Sequence, residues 1–275
     1  MSMNRVLYDA PGPKTLRNER IFSIIFAIIL TALALWFIKV SADRGVFDDR
    51  WKVLYDPPKG QTAGEVWGSL IKNGLGATLK AAVVAAPLAF LLAFGLSILR
   101  TSTIKFVSRA TVAVIEFLRG MPVLLMMFFG LLALGLSPFL AVAFGLTLYN
   151  AAIMAEILRA GLVALPKGQA EAGTSIGLTR WQTLRIIQYP QVIRLMMPSL
   201  ISQFVVLLKD SSLGFIVGYA ELLTAMKHNY SYFGSESRLP LFVATVAIYL
   251  AVNLTFTRLA VFAENRVGSH APNLD

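Results

Sequence analysis

Charged side chains are rare in the apolar stretches of this 275-residue chain, and those that occur lie close together. Glu116 and Arg119 are three residues apart, as are Glu156 and Arg159, which places each pair on one face of a helix. Ionisable groups inside an apolar helix are costly, so they mark either function or paired structure. We predict that both pairs are structural.

Lys209 and Asp210 present a different problem because adjacent residues point about 100° apart on a helix. At least one of them must find a partner on another helix or in a water-filled cavity. Gln203 in the same apolar run and Asn150 in another run are uncharged polar residues and are candidates for the same interior. These four residues could bind a polar solute, or they could form hydrogen bonds that hold a helical bundle together.

Motifs of catalysis are missing from the sequence. It contains no phosphate-binding Gly-x-x-x-x-Gly-Lys-Ser/Thr stretch, no His-Glu-x-x-His and no cysteine. Residues 173–177 match the letters of a nucleophile elbow, but that motif follows a strand and a helical pattern precedes it here. We therefore predict a chain that is not an enzyme.

Composition indicates a membrane protein. Apolar residues make up 56% and charged residues 15%, with a mean hydropathy of +0.67, whereas soluble domains have about 45–50% and about 25%. The net charge of +10 would also suit nucleic acid, but no basic stripe with interleaved aromatic residues is present. Lysines and arginines that hold loops in the cytoplasm produce the same bias.

Apolar runs predict six membrane-spanning helices. They cover residues 21–38, 81–99, about 110–134, about 138–158, about 196–220 and 239–257, and the third and fourth are divided by a turn at residues 135–138. The first run could be a signal peptide, but it is long and lacks a clear cleavage site, which favours a retained anchor. Thr62 and Glu65 form a capping box that predicts a short helix on the membrane surface.

The polar stretch at residues 164–198 interrupts two apolar runs and is patterned like a small folded unit. A short helix is predicted at residues 168–176, with Pro166 before it and Gly177 as a left-handed cap. Thr179 and Gln182 form a capping box for a second helix, which we expect to end at Pro190. Two caps in so few residues indicate a docking surface.

This stretch resembles the EAA motif of ABC importer permeases. Glu171, Ala172, Gly177, Ile187 and Pro190 match the motif, while Gly173 replaces an alanine and Tyr189 replaces a leucine. Four further stretches resemble sequences typical of the polar amino acid branch of that family: residues 116–122, 155–161, 166–169 and 208–213. The resemblance covers about residues 70–265. We call residues 165–195 the EAA segment.

The resemblance implies an all-α integral membrane fold in which one extra N-terminal helix precedes the five-helix core of a type I ABC importer permease. The expected divisions are a cytoplasmic segment (1–20), an anchor helix and extracytoplasmic loop with an interfacial helix (21–73), the permease core (74–265) and a cytoplasmic tail (266–275). The segments that this topology places inside, including the EAA segment, contain more lysines and arginines than the segments that it places outside. The implied location is a bacterial cell membrane with both termini cytoplasmic.

The resemblance also implies partners. Two permeases, alike or paired with a homologue, would form the pathway in membrane lipid, P-loop ATPase subunits would bind ATP and Mg²⁺, and an extracytoplasmic binding protein would deliver an amino acid. No cofactor is expected in this chain and no nucleic acid partner. The residues implied in coupling to the ATPase are Glu171, Ala172, Gly177, Arg180, Trp181, Ile187 and Pro190.

The expected function is therefore transport of polar amino acids driven by a partner's ATP hydrolysis. The extra N-terminal helix and residues 7–13 resemble glutamate permeases, which favours glutamate, with glutamine or basic amino acids possible. An ion-coupled secondary amino acid transporter is the alternative; it would be favoured by inverted repeats, which the sequence does not show.

Overall fold

The computed structural model describes residues 12–43, 45 and 49–268, and the regular structure in this part is helical. Predictions for residues 1–11 and 269–275, including the opening at 7–11 and most of the tail, lie outside the described residues. The chain divides into two units, Met1–Lys52 and Val53–Asp275.

The first unit consists chiefly of helix α1, Pro13–Asp43. Its part from Lys14 to Asp43 is long and apolar enough to cross a membrane, and it contains the run at residues 21–38 that predicted an anchor. Large apolar side chains such as Phe22 and Trp36 are exposed along it, as expected of a helix surrounded by lipid.

Helix α2, Ala63–Arg100, begins the second unit and differs from the expectation of a separate surface helix. The capping box is present, with Glu65 N–H donating to Thr62 Oγ1 (3.3 Å) and Thr62 N–H donating to Glu65 Oε2 (2.8 Å). The helix then continues through a π-helical stretch, Ser69–Leu75, into the apolar run. The predicted short helix is therefore not separate from the span, and Val66 and Leu70 are fully buried in a core with Leu222, Leu241 and Ala244.

The third predicted span is bent sharply. Helix α3, Lys105–Gly120, and helix α4, Val123–Ala133, meet at an angle of 101° across Met121 and Pro122. Met121 has an extended backbone, the conformation that a following proline favours, and proline itself has no N–H to continue the helical bonding. The span predicted over about residues 110–134 is therefore made of two helices joined by a bend.

Helix α5, Pro138–Ala164, lies at the centre of the second unit and packs against α2. Alanines line both helices: Ala85, Ala89, Ala151 and Ala155 are fully buried in the main core. Small side chains allow the two backbones to approach closely, which is how helices commonly associate in membranes. Ala151 and Ala155 thus allow α5 to pack closely against α2.

Four helices complete the second unit: α6 (Gly168–Ser175), α7 (Arg180–Phe215), α8 (Leu222–Phe233) and α9 (Arg238–Gly268). In the described part, five helices are long and apolar enough to cross a membrane, or six if the bent pair α3–α4 counts as one span. The prediction of an all-α membrane fold with six spans is confirmed.

A buried carboxyl group fixes the start of α8. Glu221 accepts hydrogen bonds from the N–H groups of Leu223 (2.8 Å) and Thr224 (3.1 Å) and from the Tyr249 hydroxyl (2.6 Å). Burial raises the pKa of the Glu221 carboxyl group. Because Tyr249 belongs to α9, this one side chain caps α8 and joins it to the last long helix.

Candidate functional site

The EAA segment folds as two helices separated by a cap. Helix α6 ends in a Schellman motif, in which Gly177 N–H donates to the Thr174 carbonyl (3.0 Å) and Leu178 N–H to the Gly173 carbonyl (3.1 Å). Gly177 has a φ of 81°, as the sequence predicted for a left-handed cap. The second capping box is also present, with Gln182 N–H donating to Thr179 Oγ1 (3.3 Å) and Thr179 N–H to Gln182 Oε1 (2.8 Å).

The prediction that the second helix ends at Pro190 is wrong. Helix α7 continues through Pro190 to Phe215, after a π-helical stretch at Leu184–Gln188. A proline inside an α-helix loses a hydrogen bond and clashes with the preceding turn, but it is tolerated in the first turn. The π-helical stretch makes Pro190 a first-turn residue of the α-helical part that follows. The EAA segment is therefore built directly onto a membrane-spanning helix.

The EAA segment exposes charged and large apolar side chains. Glu171 and Ala172 are exposed in α6, and in the same segment Ile176 is 74% exposed, Trp181 46% and Ile186 60%. Several large exposed apolar side chains in one segment are typical of a surface that binds another protein. Ile187 is half-buried, so of the matched motif residues it contributes mainly to packing.

Two hydrogen bonds attach the EAA segment to the C-terminal end of α2. Arg180 Nη2 donates to the Thr101 carbonyl (2.9 Å), and the Tyr189 hydroxyl donates to Ser97 Oγ (3.1 Å). Sequence reasoning placed Arg180 near the ATPase and treated Tyr189 as a mild departure from the motif. It did not single out Ser97 or Thr101, because nothing local marks residues whose partners are about 80 to 90 positions away in the chain.

Gly173 lies at the contact between α6 and α7. A Cβ atom at this position would lie 2.6 Å from both Cγ2 and Oγ1 of Thr183 and 3.1 Å from Cδ1 of Ile187. Such distances are well inside van der Waals contact, so the alanine that the motif prefers cannot fit without movement. The departure from the motif is therefore explained by the buried, β-branched Thr183 on the facing helix.

We expect Gly173→Ala to destabilise the EAA segment by about 1–3 kcal/mol, the usual cost of overpacking. Protection of the segment from limited proteolysis should fall. Thr183→Ala should restore it, because this change removes both clashing atoms and the Thr183 hydroxyl has no hydrogen-bond partner among the described residues. Equal protection of wild type and Gly173→Ala would contradict the packing.

Both predicted charge pairs are present, and a third charged residue joins one of them. Arg119 Nη1 lies 3.3 Å from Glu116 Oε1 on the exposed face of α3, and Arg159 Nε lies 2.9 Å from Glu156 Oε2 on α5. Arg100, at the end of α2, also contacts Glu156. Glu156 therefore joins α2 to α5, which the spacing of Glu156 and Arg159 alone could not indicate.

A cavity of about 510 Å³ opens beside these pairs. Its lining contains both signs of charge together with an aromatic ring, and consists of Arg119, Tyr149, Ile153, Glu156, Ile157, Arg159 and Ala160. The two arginines of the lining could bind the carboxylate groups of a solute, whereas both oxygens of Glu156 are already paired with Arg100 and Arg159.

The predicted polar interior is only partly assembled. Gln203 Nε2 donates to Asn150 Oδ1 (2.8 Å), and Asn150 Nδ2 donates to the Leu146 carbonyl (2.8 Å), with both side chains buried. Lys209 is exposed and Asp210 half-buried, and no hydrogen bond among the described residues links them to that pair. The structure thus brings Asn150 and Gln203 together and leaves Lys209 and Asp210 apart from them. Within the described ranges, no group of three or more His, Cys, Asp or Glu side chains could hold a metal ion.

Residues 85–269 match the protein family described as the inner membrane component of binding-protein-dependent transport systems. This chain belongs to that family. The match extends from the middle of α2 to the end of the described chain and includes the whole EAA segment.

Named relatives of this inner membrane component are amino acid permeases. The chain is 36% identical over 211 residues to the glutamate transport system permease protein GluD of Corynebacterium glutamicum, covering 74% of this chain and 77% of that protein. It is 33% identical over 198 residues to the probable glutamine ABC transporter permease protein GlnP of Bacillus subtilis, covering 68% and 89%.

The fold agrees with these relatives. A crystal structure described as an amino acid ABC transporter with histidines superposes with a TM-score of 0.66 at 30% identity, covering 73% of this chain and 95% of that one. The family, the relatives and the fold all identify a multi-pass permease subunit of an ABC importer. The resemblance of the EAA segment to this family is therefore confirmed.

Proposed function

We propose that the chain is the membrane subunit of an importer of polar amino acids, with glutamate as the favoured substrate, and that its EAA segment receives the force of ATP hydrolysis from a partner. The observation that carries this proposal is the EAA segment itself. It is rigidly capped, exposed and joined without a break to the membrane-spanning part of α7.

The exposed surface around Glu171 would bind the ATPase subunit. Ile176 and Trp181 offer exposed apolar area, and Glu171 and Arg180 are exposed charged residues of the same segment. Interfaces of this kind combine a central apolar or aromatic anchor with a polar rim. The phosphate-binding loop, ATP and Mg²⁺ would all belong to the partner, since the sequence has no motif for holding them.

The partner must be in the cytoplasm, where ATP is, so we place the EAA segment and both termini there. The excess of lysines and arginines in the segments on that side supports this orientation. A second permease, identical or homologous, and an extracytoplasmic binding protein would complete the assembly. The bacterial cell membrane is the compartment that fits these partners.

The substrate class follows from the relatives' names and from the chemistry of the cavity. The GluD and GlnP permeases are named for glutamate and glutamine. The cavity is lined by Arg119 and Arg159, whose positive charges suit the carboxylate groups of an amino acid such as glutamate. The buried Asn150–Gln203 pair is better suited to fixing α5 against α7, because both amides already use each other.

The test is co-purification from the native membrane in mild detergent, with bound proteins identified by mass spectrometry. Wild type should bring down a P-loop ATPase and a second permease, and Glu171→Lys should lose the ATPase because it reverses a charge on the docking surface. Glu236→Lys is a matched control, since Glu236 is equally exposed but lies in the connection between α8 and α9.

Uptake in membrane vesicles separates the proposal from an ion-coupled carrier. We expect uptake of labelled glutamate to require ATP and the binding protein and to persist when ionophores collapse the ion gradients. A wild-type chain that purifies without an ATPase, or uptake that follows the ion gradient, would contradict the proposed function.

A further inference from the structure

The beginning of α7 is held to the end of α2 at two points that bracket the π-helical stretch. Before this stretch Arg180 donates a hydrogen bond to the Thr101 carbonyl, and after it Tyr189 donates one to Ser97. Between them lie residues Leu184–Gln188, where the helix has one extra residue per turn. π-helical stretches are rare, so we expect contacts with neighbouring helices to stabilise this one.

Tyr189 is the stronger of the two attachments. Its side chain is 2% exposed, its ring lies 4.6 Å from that of Phe94, and its hydroxyl donates to a serine that is 1% exposed. A buried hydroxyl without a partner is costly, so the Tyr189–Ser97 pair has little alternative to this geometry. The leucine that the EAA motif has at this position could fill part of the space but could make no such bond.

The end of α2 also contacts α3 and α5. Arg100 contacts Glu156 of α5, which also binds Arg159. The Ser108 hydroxyl of α3 donates to the Arg100 carbonyl (2.7 Å). The four residues from Ser97 to Arg100, together with Thr101, thus contact α3, α5 and α7. Glu156 and Arg159 line the charged cavity, so the connection ends at the surface where an amino acid would be held.

We propose that Tyr189 is a positioning residue that couples the EAA segment to the end of α2, and through Arg100 and Glu156 to the charged cavity on α5. Movement of the EAA segment then displaces α2 together with α7, instead of being absorbed in the π-helical stretch between them. This inference rests on the proposed function. It adds a transmission route that depends on a residue in which this chain departs from the EAA motif.

The test measures how many ATP molecules are hydrolysed per glutamate transported, with the complete complex and its binding protein in proteoliposomes. Tyr189→Phe keeps the ring and removes the hydroxyl, and Ser97→Ala removes its partner. Loss of one buried hydrogen bond shifts a two-state equilibrium by about 2- to 10-fold. We expect ATP consumed per glutamate to rise by about this factor while the ATPase rate stays near that of wild type.

The double variant Ser97→Ala/Tyr189→Phe should be no worse than the more affected single variant, because both changes remove the same bond. Tyr232→Phe is the matched control: Tyr232 is 47% exposed on α8, and its change should leave the ratio as in wild type. Should Tyr189→Phe fail to assemble, Ser97→Ala alone gives the same measurement at a smaller change in volume.

An unchanged ratio in the single variants overturns the inference, even if their thermal stability falls, since the bond would then be only structural. The failure of the proposed function looks different. In that case the wild-type complex itself would show no ATP-dependent uptake of glutamate, and the positioning role would fall with it.

Discussion

Gly177→Val is expected to uncouple ATP hydrolysis from amino acid uptake. Gly177 has a φ of 81°, in the left-handed region where a side chain costs about 1–2 kcal/mol per residue and a β-branched one more. No heavy atom lies within 4 Å of a Cβ built at this position. The substitution therefore acts through the backbone alone, by forcing a different angle between α6 and α7.

Uptake in this variant should fall by about 5- to 30-fold, the factor that corresponds to one or two kcal/mol. The spans should insert normally and the ATPase should remain active. The measurement is uptake of labelled amino acid and ATPase rate on the same vesicles. Gly177→Asn should be milder than valine, because asparagine tolerates the left-handed cap.

Gly168→Val provides the control for adding the same side chain to the EAA segment. Gly168 also has open space around its Cβ position, but its φ is not positive. Coupling should stay close to wild type in that variant. Normal uptake by Gly177→Val, or equal loss in both variants, would contradict the role of Gly177 in setting the angle between the helices.

Glu156→Gln should destabilise the protein. The Glu156 side chain is 16% exposed and contacts Arg100, which is 18% exposed, and Arg159. Removing the carboxylate leaves Arg100 and Arg159 without their counter-charge, although solvent screens part of the loss at Arg159, which is 40% exposed. A fully buried ion pair broken from one side costs about 3–5 kcal/mol and an exposed pair about 0–1 kcal/mol, so we expect about 1–3 kcal/mol for this partly exposed group. Because Glu156 joins α2 to α5, the loss affects the centre of the fold.

Thermal unfolding of the purified protein in detergent measures this effect. Glu116→Gln makes the same chemical change in a pair whose side chains are 59% and 41% exposed. Solvent screening limits that pair to about 0–1 kcal/mol. A similar drop in melting temperature for the two variants would show that Glu156 does not hold α2 to α5.

Local features of this protein were predictable from the sequence because their causes lie within a few residues. Both capping boxes need only two side chains three positions apart, and the left-handed cap at Gly177 needs only a glycine after a short helical pattern. The two acid–arginine pairs follow from the same short spacing. Membrane class followed from composition alone.

Continuity of the helices was harder to predict, because a proline can lie within a helix or at a bend, and a capping box can begin a short helix or a long one. Pro190 lies within α7, directly after a π-helical stretch, whereas Pro122 lies at a bend of 101° between α3 and α4. The capping box at Thr62 begins the long helix α2 instead of a short surface helix, because Val66 and Leu70 are buried against distant residues. Packing partners decide between such outcomes, and the local sequence does not contain them.

By itself the sequence determined that this is a helical membrane protein with a capped segment at residues 165–195, because those features depend on composition and short spacing, and the resemblance of that segment to the EAA motif indicated the family. Only the tertiary structure decided how that segment is attached. The Tyr189–Ser97, Arg180–Thr101 and Arg100–Glu156 contacts join residues from different helices far apart in the chain. The physical reason is that a hydrogen bond or ion pair forms wherever packing places its two groups, and helix packing is a property of the whole core.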